Sequence, residues 1–329
     1  MRVLVVTNMW PSPERPHWGA FVKSQADSLA AAGCENTLYE IHGWRAKTEY
    51  LRAWRDLPGV ARACGAELVH AHFGFSGAAA ARVKLPLVVS FCGDDLLGHP
   101  TLTGSPTLKS RALIELSRWA ARRADGVIVK TAEMARVIAG VPDVHVIPNG
   151  VDLDRFAPGP RASARAVLGW RADGQVLLFA ADPHEIRKNF ALAAQVQRRL
   201  VERGLDVRLE AFFGKRQSEM VHAMNAADVL LLPSMHEGSP NVVKEAMAVG
   251  LPVVAAPVGD CVERLRGVQP SAIATLDAGA FADATAAVLA AGARSNGREA
   301  IARSLSLDAV AQRVLAVYER ARARFGGAT

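Results

Sequence analysis

Two glutamates eight residues apart, Glu237 and Glu245, stand with Asn241 midway between them. Residues four apart share one face of a helix, so Asn241 and Glu245 project together if a helix starts near residue 240. Its punctuation is legible. Ser239 is a good N-cap, Pro240 suits the first helical position where no amide donor is needed, and Gly250 and Pro252 close the far end. Val242, Val243, Ala246, Met247 and Val249 are expected to take the sheet side. A helix rises ~1.5 Å per residue, which sets Glu245 on the order of 7 Å along from the amino end, the reach of a diphosphate and its ribose. Amides without helical partners and the positive dipole end attract phosphate there. The spacing therefore suits a nucleoside diphosphate. Its ribose would lie on Glu245, its phosphates at the turn and first amides (Gly238, Ser239, Pro240, Asn241, Val242), and the group it carries beside Glu237. Taken alone, two glutamates at this spacing read as solvated surface residues.

The elements around this stretch give the fold class. Asp228-Val-Leu-Leu-Leu232 before it and Val253-Val-Ala-Ala256 after it are short apolar runs that read as buried strands, so the three form a parallel βαβ unit. The same alternation runs through the chain. Strands are expected at 2–7, 37–41, 67–71, 85–91, 126–130 and 144–147, with helices between them, including Pro106 to Arg123. A second series starts at Gln175 and continues through helix 189–203, strand 206–212, helix 217–226, helix 259–266, strand 271–275 and a last helix from about Ser306 to Arg324. Alternating strands and helices predict an α/β protein with two doubly wound parallel sheets and ligands at the carboxyl ends of the strands. The boundaries expected are 1–148, 149–305 and 306–329, the last helix returning to the first domain. The loop from Asn8 to Gly19 contains no Gly-x-Gly-x-x-Gly, so the dinucleotide fingerprint is absent.

The string His236-Glu-Gly-Ser-Pro-Asn-Val-Val-Lys-Glu-Ala-Met-Ala248 closely resembles the C-terminal signature of family 4 of the retaining glycosyltransferases, which have the GT-B fold of two Rossmann-like domains facing a cleft. The match is specific from about Met224 to Asp260. Pro148-Asn-Gly-Val-Asp152 resembles the family's interdomain junction, and Gly19 its first loop, whose glycine lets the backbone approach the donor phosphates. The resemblance implies transfer of a hexosyl group from a nucleotide-diphosphate sugar (UDP or GDP) with retention of configuration. It gives Glu237 the sugar hydroxyls and gives Lys188 the departing diphosphate. Where the family has an arginine after the preceding strand, this chain has Asp182; Arg187, beside Lys188, is the substitute. An Arg–Lys pair at a helix start opposes the helix dipole, a local cost consistent with phosphate binding. A second departure is Cys92 in place of a histidine before Gly93. On the acceptor side the candidates are His72, Cys92, Asp94 and Asp95. Members of this length typically extend exopolysaccharide, lipopolysaccharide or teichuronic-type polymers on a lipid carrier, which implies a cytoplasmic protein, peripheral at the inner face of the plasma membrane.

Composition sets the outer bounds. The 329 residues are 50% hydrophobic and 22% charged, enough for two globular domains. Thirty-nine Lys plus Arg against 32 Asp plus Glu leave a charge of +7, which suits an anionic small molecule or an anionic membrane surface. Nucleic acid is not expected, since no basic tail, zinc finger or RNA-binding motif is present. No apolar run is long enough to span a bilayer. The four cysteines are scattered, so neither a disulfide framework nor a zinc site is expected. His70 and His72 point to the same side of a strand without a visible third ligand, and Asp152-Leu-Asp154 reads as structural; no metal and no cofactor are expected. Helix 106–123 carries Lys109, Arg111, Arg118, Arg122 and Arg123, a solvated or membrane-facing basic face. Two rival readings are a nucleotide-sugar epimerase of the same fold and a non-catalytic nucleotide-sugar-binding partner subunit, the latter kept alive by Cys92 and Asp182.

Overall fold

The computed structural model describes residues 1–98 and 107–327. They fall into two units: Met1–Ser12 with Trp18–Gly150 and the stretch from Leu307, and Pro13–His17 with Val151–Ser306.

The first unit contains β1 (Arg2–Thr7), α1 (Ala20–Ala31), β2 (Glu35–Glu40), α2 (Thr48–Ala63), β3 (Leu68–His72), α3 (Gly74–Ala80) and β4 (Leu87–Ser90). It continues with α4 (Asp94–Leu97), α5 (Leu108–Arg123), β5 (Gly126–Val129), α6 (Ala132–Val137) and β6 (Val144–Val146). The strands form one parallel sheet in the order β2-β1-β3-β4-β5-β6. Val3 to Val6, Leu68 to Ala71 and Leu87 to Val89 are buried on both faces, as continuous apolar runs in parallel sheets require. One face packs against α2, α3, α5 and α6. Pro106, the expected start of the fifth helix, lies outside the described residues.

The second unit contains α7 (Arg161–Leu168), β7 (Gln175–Phe179), α8 (Phe190–Glu202), β8 (Val207–Ala211), α9 (Gln217–Ala226), β9 (Val229–Leu232) and α10 (Asn241–Ala248). After these come β10 (Val253–Ala255), α11 (Cys261–Arg264), β11 (Ala272–Ile273), α12 (Ala278–Ala290) and α13 (Gly297–Ser304). The sheet order is β11-β10-β9-β7-β8. The chain leaves β7 for β8 and returns on the other side as β9, so the topological switch point lies between β7 and β9, where doubly wound sheets bind ligands. Helix α7 is not evident from the sequence pattern. It is held by Arg165, whose buried guanidinium donates to Asp228 Oδ2 at 2.8 Å and to the Ala172 carbonyl at 2.7 Å.

The last helix, α14 (Leu307–Gly327), belongs to the first unit and packs on β4, β5 and α1. Its Tyr318 is fully buried, with Oη 2.7 Å from His70 Nδ1, while His70 Nε2 lies 2.8 Å from Ser90 Oγ. Burial first, and the Lys130 charge second, push His70 down to about 3, so it sits in the core as a neutral ring. A buried nitrogen left without its partner costs about 1–3 kcal/mol. Tyr318→Phe is therefore expected to lower unfolding stability by about that amount, read as a fall in the urea midpoint with an unchanged slope.

Candidate functional site

The carboxyl ends of β7 and β9 bring together side chains far apart in sequence. After β7 the chain turns through a short 3-10 helix, Ile186–Lys188, closed by Asn189 in the left-handed conformation at φ 57°. After β9 comes the loop carrying Glu237. The two loops are tied through the backbone, Met235 N–H donating to the Arg187 carbonyl at 2.8 Å. Lys188 Nζ then donates to Glu237 Oε1 at 2.6 Å, and Arg187 Nη1 lies 3.4 Å from Glu237 Oε2 and 3.2 Å from the His236 carbonyl. Glu237 is buried, and two cations on its two oxygens are what makes a buried carboxylate tolerable. Lys188, Arg187 and Glu237 thus form one cluster at the switch point. Asp182 folds onto its own loop, accepting from the His184 amide at 2.9 Å.

Helix α10 starts one residue later than its punctuation predicts. Pro240 is the N-cap, and its ring has no atom that could cap the helix, while Ser239 is engaged elsewhere. Ser239 Oγ donates to Asp260 Oδ2 at 2.9 Å and accepts from Lys244 Nζ at 3.1 Å. Lys244, outside the set expected on the sheet side, is buried, whereas Val242, inside that set, is only half-buried. Arg264 Nε lies 3.2 Å from the same Asp260 oxygen. Burial raises Asp260, opposed by Lys244 and the Ser239 hydrogen bond. Gly238 is pinned from the other side. Its carbonyl accepts from the Asp260 amide at 3.1 Å, and a Cβ on Gly259 would lie 1.9 Å from that oxygen. Ser239, Lys244, Asp260 and Arg264 therefore brace the loop that carries Glu237. Of these, Lys244, Asp260 and Arg264 escaped the sequence reading.

Glu245 and Asn241 are both half-buried on α10. Burial pushes Glu245 up to about 7, against the lowering effects of Lys244, a hydrogen bond from Gln217 and Arg155. Arg155 in turn donates to Gln217. Asp152 serves as a turn, accepting from the Arg155 amide at 2.9 Å and the Asp154 amide at 3.2 Å.

In the first unit Gly19 precedes α1 at φ 70°, and a Cβ there would stand 2.4 Å from the Met9 carbonyl, so only glycine lets the Asn8-to-Gly19 loop fold as it does. The acceptor-side candidates lie at the ends of β3 and β4 or just beyond. His72 is buried with its ring 4.2 Å from that of His70, and burial holds it well below its usual range. Asp95 is buried and used up as a clip. Its carboxylate accepts from the amides of Gly93 at 2.9 Å, Cys92 at 3.0 Å and Gly74 at 3.1 Å. Burial raises it to about 6 despite those bonds, and this structural duty replaces the acceptor contact expected of it. Cys92 is half-buried, and burial followed by Asp95 pushes its thiol up, the reverse of an activated nucleophile. Asp94 opens α4 and stays partly exposed. Lys130, directly after β5, is buried with no hydrogen-bond partner for Nζ. Among the described residues no group of three His, Cys, Asp or Glu is placed to hold a metal ion.

Residues 1–155 match the family described as Glycosyltransferase Family 4, and residues 169–291 that described as Glycosyl transferases group 1. The D-inositol 3-phosphate glycosyltransferase of Saccharomonospora viridis is 30% identical over 313 residues, covering 79% of this chain and 72% of that relative. That of Mycobacterium leprae is 29% identical over 296 residues, covering 78% and 69%. Among solved structures, sucrose-phosphate synthase from Thermosynechococcus elongatus superposes with a TM-score of 0.79 at 19% identity, covering 97% of this chain and 99% of that one. Anabaena HepE in complex with UDP gives 0.70 at 15% identity, covering 97% and 100%.

A titration consequence follows from Glu245. Its folded value lies above its ordinary 4.5, so between about 4.5 and 7 the folded chain holds a proton that the unfolded chain has released, and stability falls as pH rises through that window. Glu245→Gln removes the penalty. Without ligand its melting temperature is expected to exceed that of the unmodified chain at pH 8, with the gap closing by pH 4.5.

Proposed function

Since the chain belongs to glycosyltransferase family 4 and folds as a GT-B protein, we propose that it moves a hexosyl group from a nucleotide-diphosphate sugar to a glycan or lipid-linked acceptor, with retention of configuration. The observation that carries this reading is the convergence of Lys188, Arg187 and Glu237 at the switch point beside the amino end of α10. A nucleoside diphosphate is already a good leaving group and needs fixed positive potential where its charge develops. Lys188, Arg187 and the first amides of α10 supply it. Glu237 then turns its carboxylate to the hydroxyls of the sugar, Asn241 and Val242 flank the phosphates, and Glu245 takes the ribose through its half-buried oxygens. The leaving phosphate accepts the proton of the attacking hydroxyl on the same face as departure, which conserves configuration. With side-chain cations in place, the chemistry asks for no metal, and EDTA is expected to leave turnover unchanged.

The acceptor side is proposed to lie in the first unit, with Asp94 and Cys92 its partly exposed candidates and His72 shaping the wall. The inositol phosphate relatives make a phosphorylated acceptor a natural first panel, and the UDP and UDP-glucose complexes of HepE make uridine the base to test first. Cell-surface polysaccharide synthesis at the cytoplasmic face of the membrane is the proposed setting. Among the described residues no helix is long and apolar enough to cross a bilayer.

Lys188→Ala is expected to cut transfer by about 10²–10³-fold, the usual cost of one group that stabilises developing charge, and, because it strips buried Glu237 of a cation, to lower the melting temperature while circular dichroism shows the fold retained. Radiolabelled sugar transfer with a UDP- and GDP-sugar panel measures it, and undiminished turnover would remove the assignment. Donor epimerisation seen by NMR without an acceptor product would favour the epimerase instead.

A further inference from the structure

Lys130 stands directly after β5 at the carboxyl end of the first sheet. It is 2% exposed, and its Nζ is closed to water with no hydrogen-bond partner. Strand register gives its surroundings. Ser90 pairs with Ile128, so Cys92 and Lys130, each two residues on, leave the sheet side by side on one face. Val129 pairs with Val146, which puts Ile147 on the other flank of Lys130. His72 pairs with Ser90 and belongs to the same face. A buried ammonium without a partner is costly, since nothing replaces its lost hydration. Burial accordingly lowers Lys130, while Cys92 and Asp95 hold it up. Asp95 is committed to the amides of Gly74, Cys92 and Gly93. Burial keeps His72 neutral and the Cys92 thiol protonated, so the cluster offers a ligand one ammonium. This strand end meets solvent at Cys92 and Asp94, both partly exposed. The Cys92 thiol is loosely held, by a long contact of 3.9 Å to the Ser90 carbonyl.

We propose that Lys130 anchors a sugar-acid subsite: its ammonium receives the carboxylate of a uronic acid residue, which enters at Cys92 as the thiol turns aside. On the transferase reading that residue belongs to the acceptor; only the word acceptor rests on that reading, and the subsite does not. One ammonium matches one negative charge. A phosphate ester carries close to two, and in a pocket closed to water, with Asp95 nearby, the second charge would stand unpaired. A neutral sugar would leave the ammonium as it is. A hydrogen bond between charged groups is worth about tenfold to a hundredfold in affinity. A lysine kept for a ligand also leaves a mark on stability, because exchanging an unpaired buried charge for an apolar side chain of similar length is neutral or stabilising.

The test is titration of the full chain with methyl β-D-glucuronide and methyl β-D-glucoside, followed by ligand-observed NMR. The glucuronide is expected to bind about tenfold to a hundredfold more tightly. Lys130→Met is expected to abolish that preference and, without ligand, to melt at the same temperature as the unmodified chain or higher. Cys92→Phe blocks the entrance while leaving the charge, and is expected to weaken the glucuronide about tenfold or more. Equal binding of the two glycosides, or a glucuronide affinity that ignores either variant, overturns the proposal. So does a lower melting temperature or loss of folding in Lys130→Met, which would make Lys130 a structural cation. Glucose 6-phosphate binding more tightly than the glucuronide, with the same dependence on Lys130, would mark a phosphate site and overturn it too. A Lys130-dependent preference for UDP-glucuronate over UDP-glucose, with none between the glycosides, would put the carboxylate on the donor and overturn its place on the acceptor. The glycoside titrations contain no donor and read no turnover, so the transferase assignment stands or falls by its own experiment.

Discussion

A buried carboxylate needs company, and the second unit is arranged around providing it to Glu237. Removing a carboxylate from water costs several kcal/mol unless cations replace the lost hydration. Lys188 and Arg187 do so at 2.6 and 3.4 Å. Both come from the turn after β7, while Glu237 comes from the turn after β9, so the pair also fastens the two strand ends on either side of the switch point. The same charges that keep the carboxylate buried are those that a diphosphate would meet. On the proposed reading, ligand phosphates and Glu237 would draw on one pool of positive charge, and a donor would offer hydroxyls to the carboxylate as it claims part of that pool.

The brace behind the loop explains why this arrangement holds its shape. Ser239, which would ordinarily cap α10, instead links Lys244 to Asp260. The helix loses about 1 kcal/mol of capping by such an exchange and gains a fixed position for Glu237 and Gly238. Gly259 completes the brace by allowing one backbone to lie against another where any side chain would collide. A loop held from the front by two cations and from behind by a buried lysine has little freedom left, which is what a site acting by preorganised charge requires.

Much of this was legible in the sequence because parallel strands advertise themselves. Leu230 to Leu232 and Val176 to Phe179 are unbroken apolar runs, and the glutamates, Lys188 and Arg187 all follow such runs closely. What stayed hidden were interactions between loops. Nothing in the neighbourhood of Ser239 reveals that its partner is twenty-one residues on, so a cap was read where a brace exists. Lys244 lies outside the set expected on the sheet side, and its burial depends on Asp260, which periodicity along one helix does not report. Asp95 likewise looked free beside Asp94, because three backbone amides from two loops converge on it only after β3 and β4 pair. Helix α7 is short, and its anchor, Arg165, reads as surface charge until Asp228 is placed beside it.

The sequence separation of 49 between Lys188 and Glu237 carries a consequence for assembly. A whole excursion, out through α8, β8 and α9 and back, must be completed before β9 docks next to β7. Until then Lys188 lacks Glu237, and Arg187 keeps Glu185 of its own turn. Such non-local closure delays the cluster relative to local helices, and on the proposed reading nucleotide affinity would report whether the central part of this sheet has been knit together. A chain caught mid-synthesis before β9 emerges would, on that reading, be blind to the donor proposed for it.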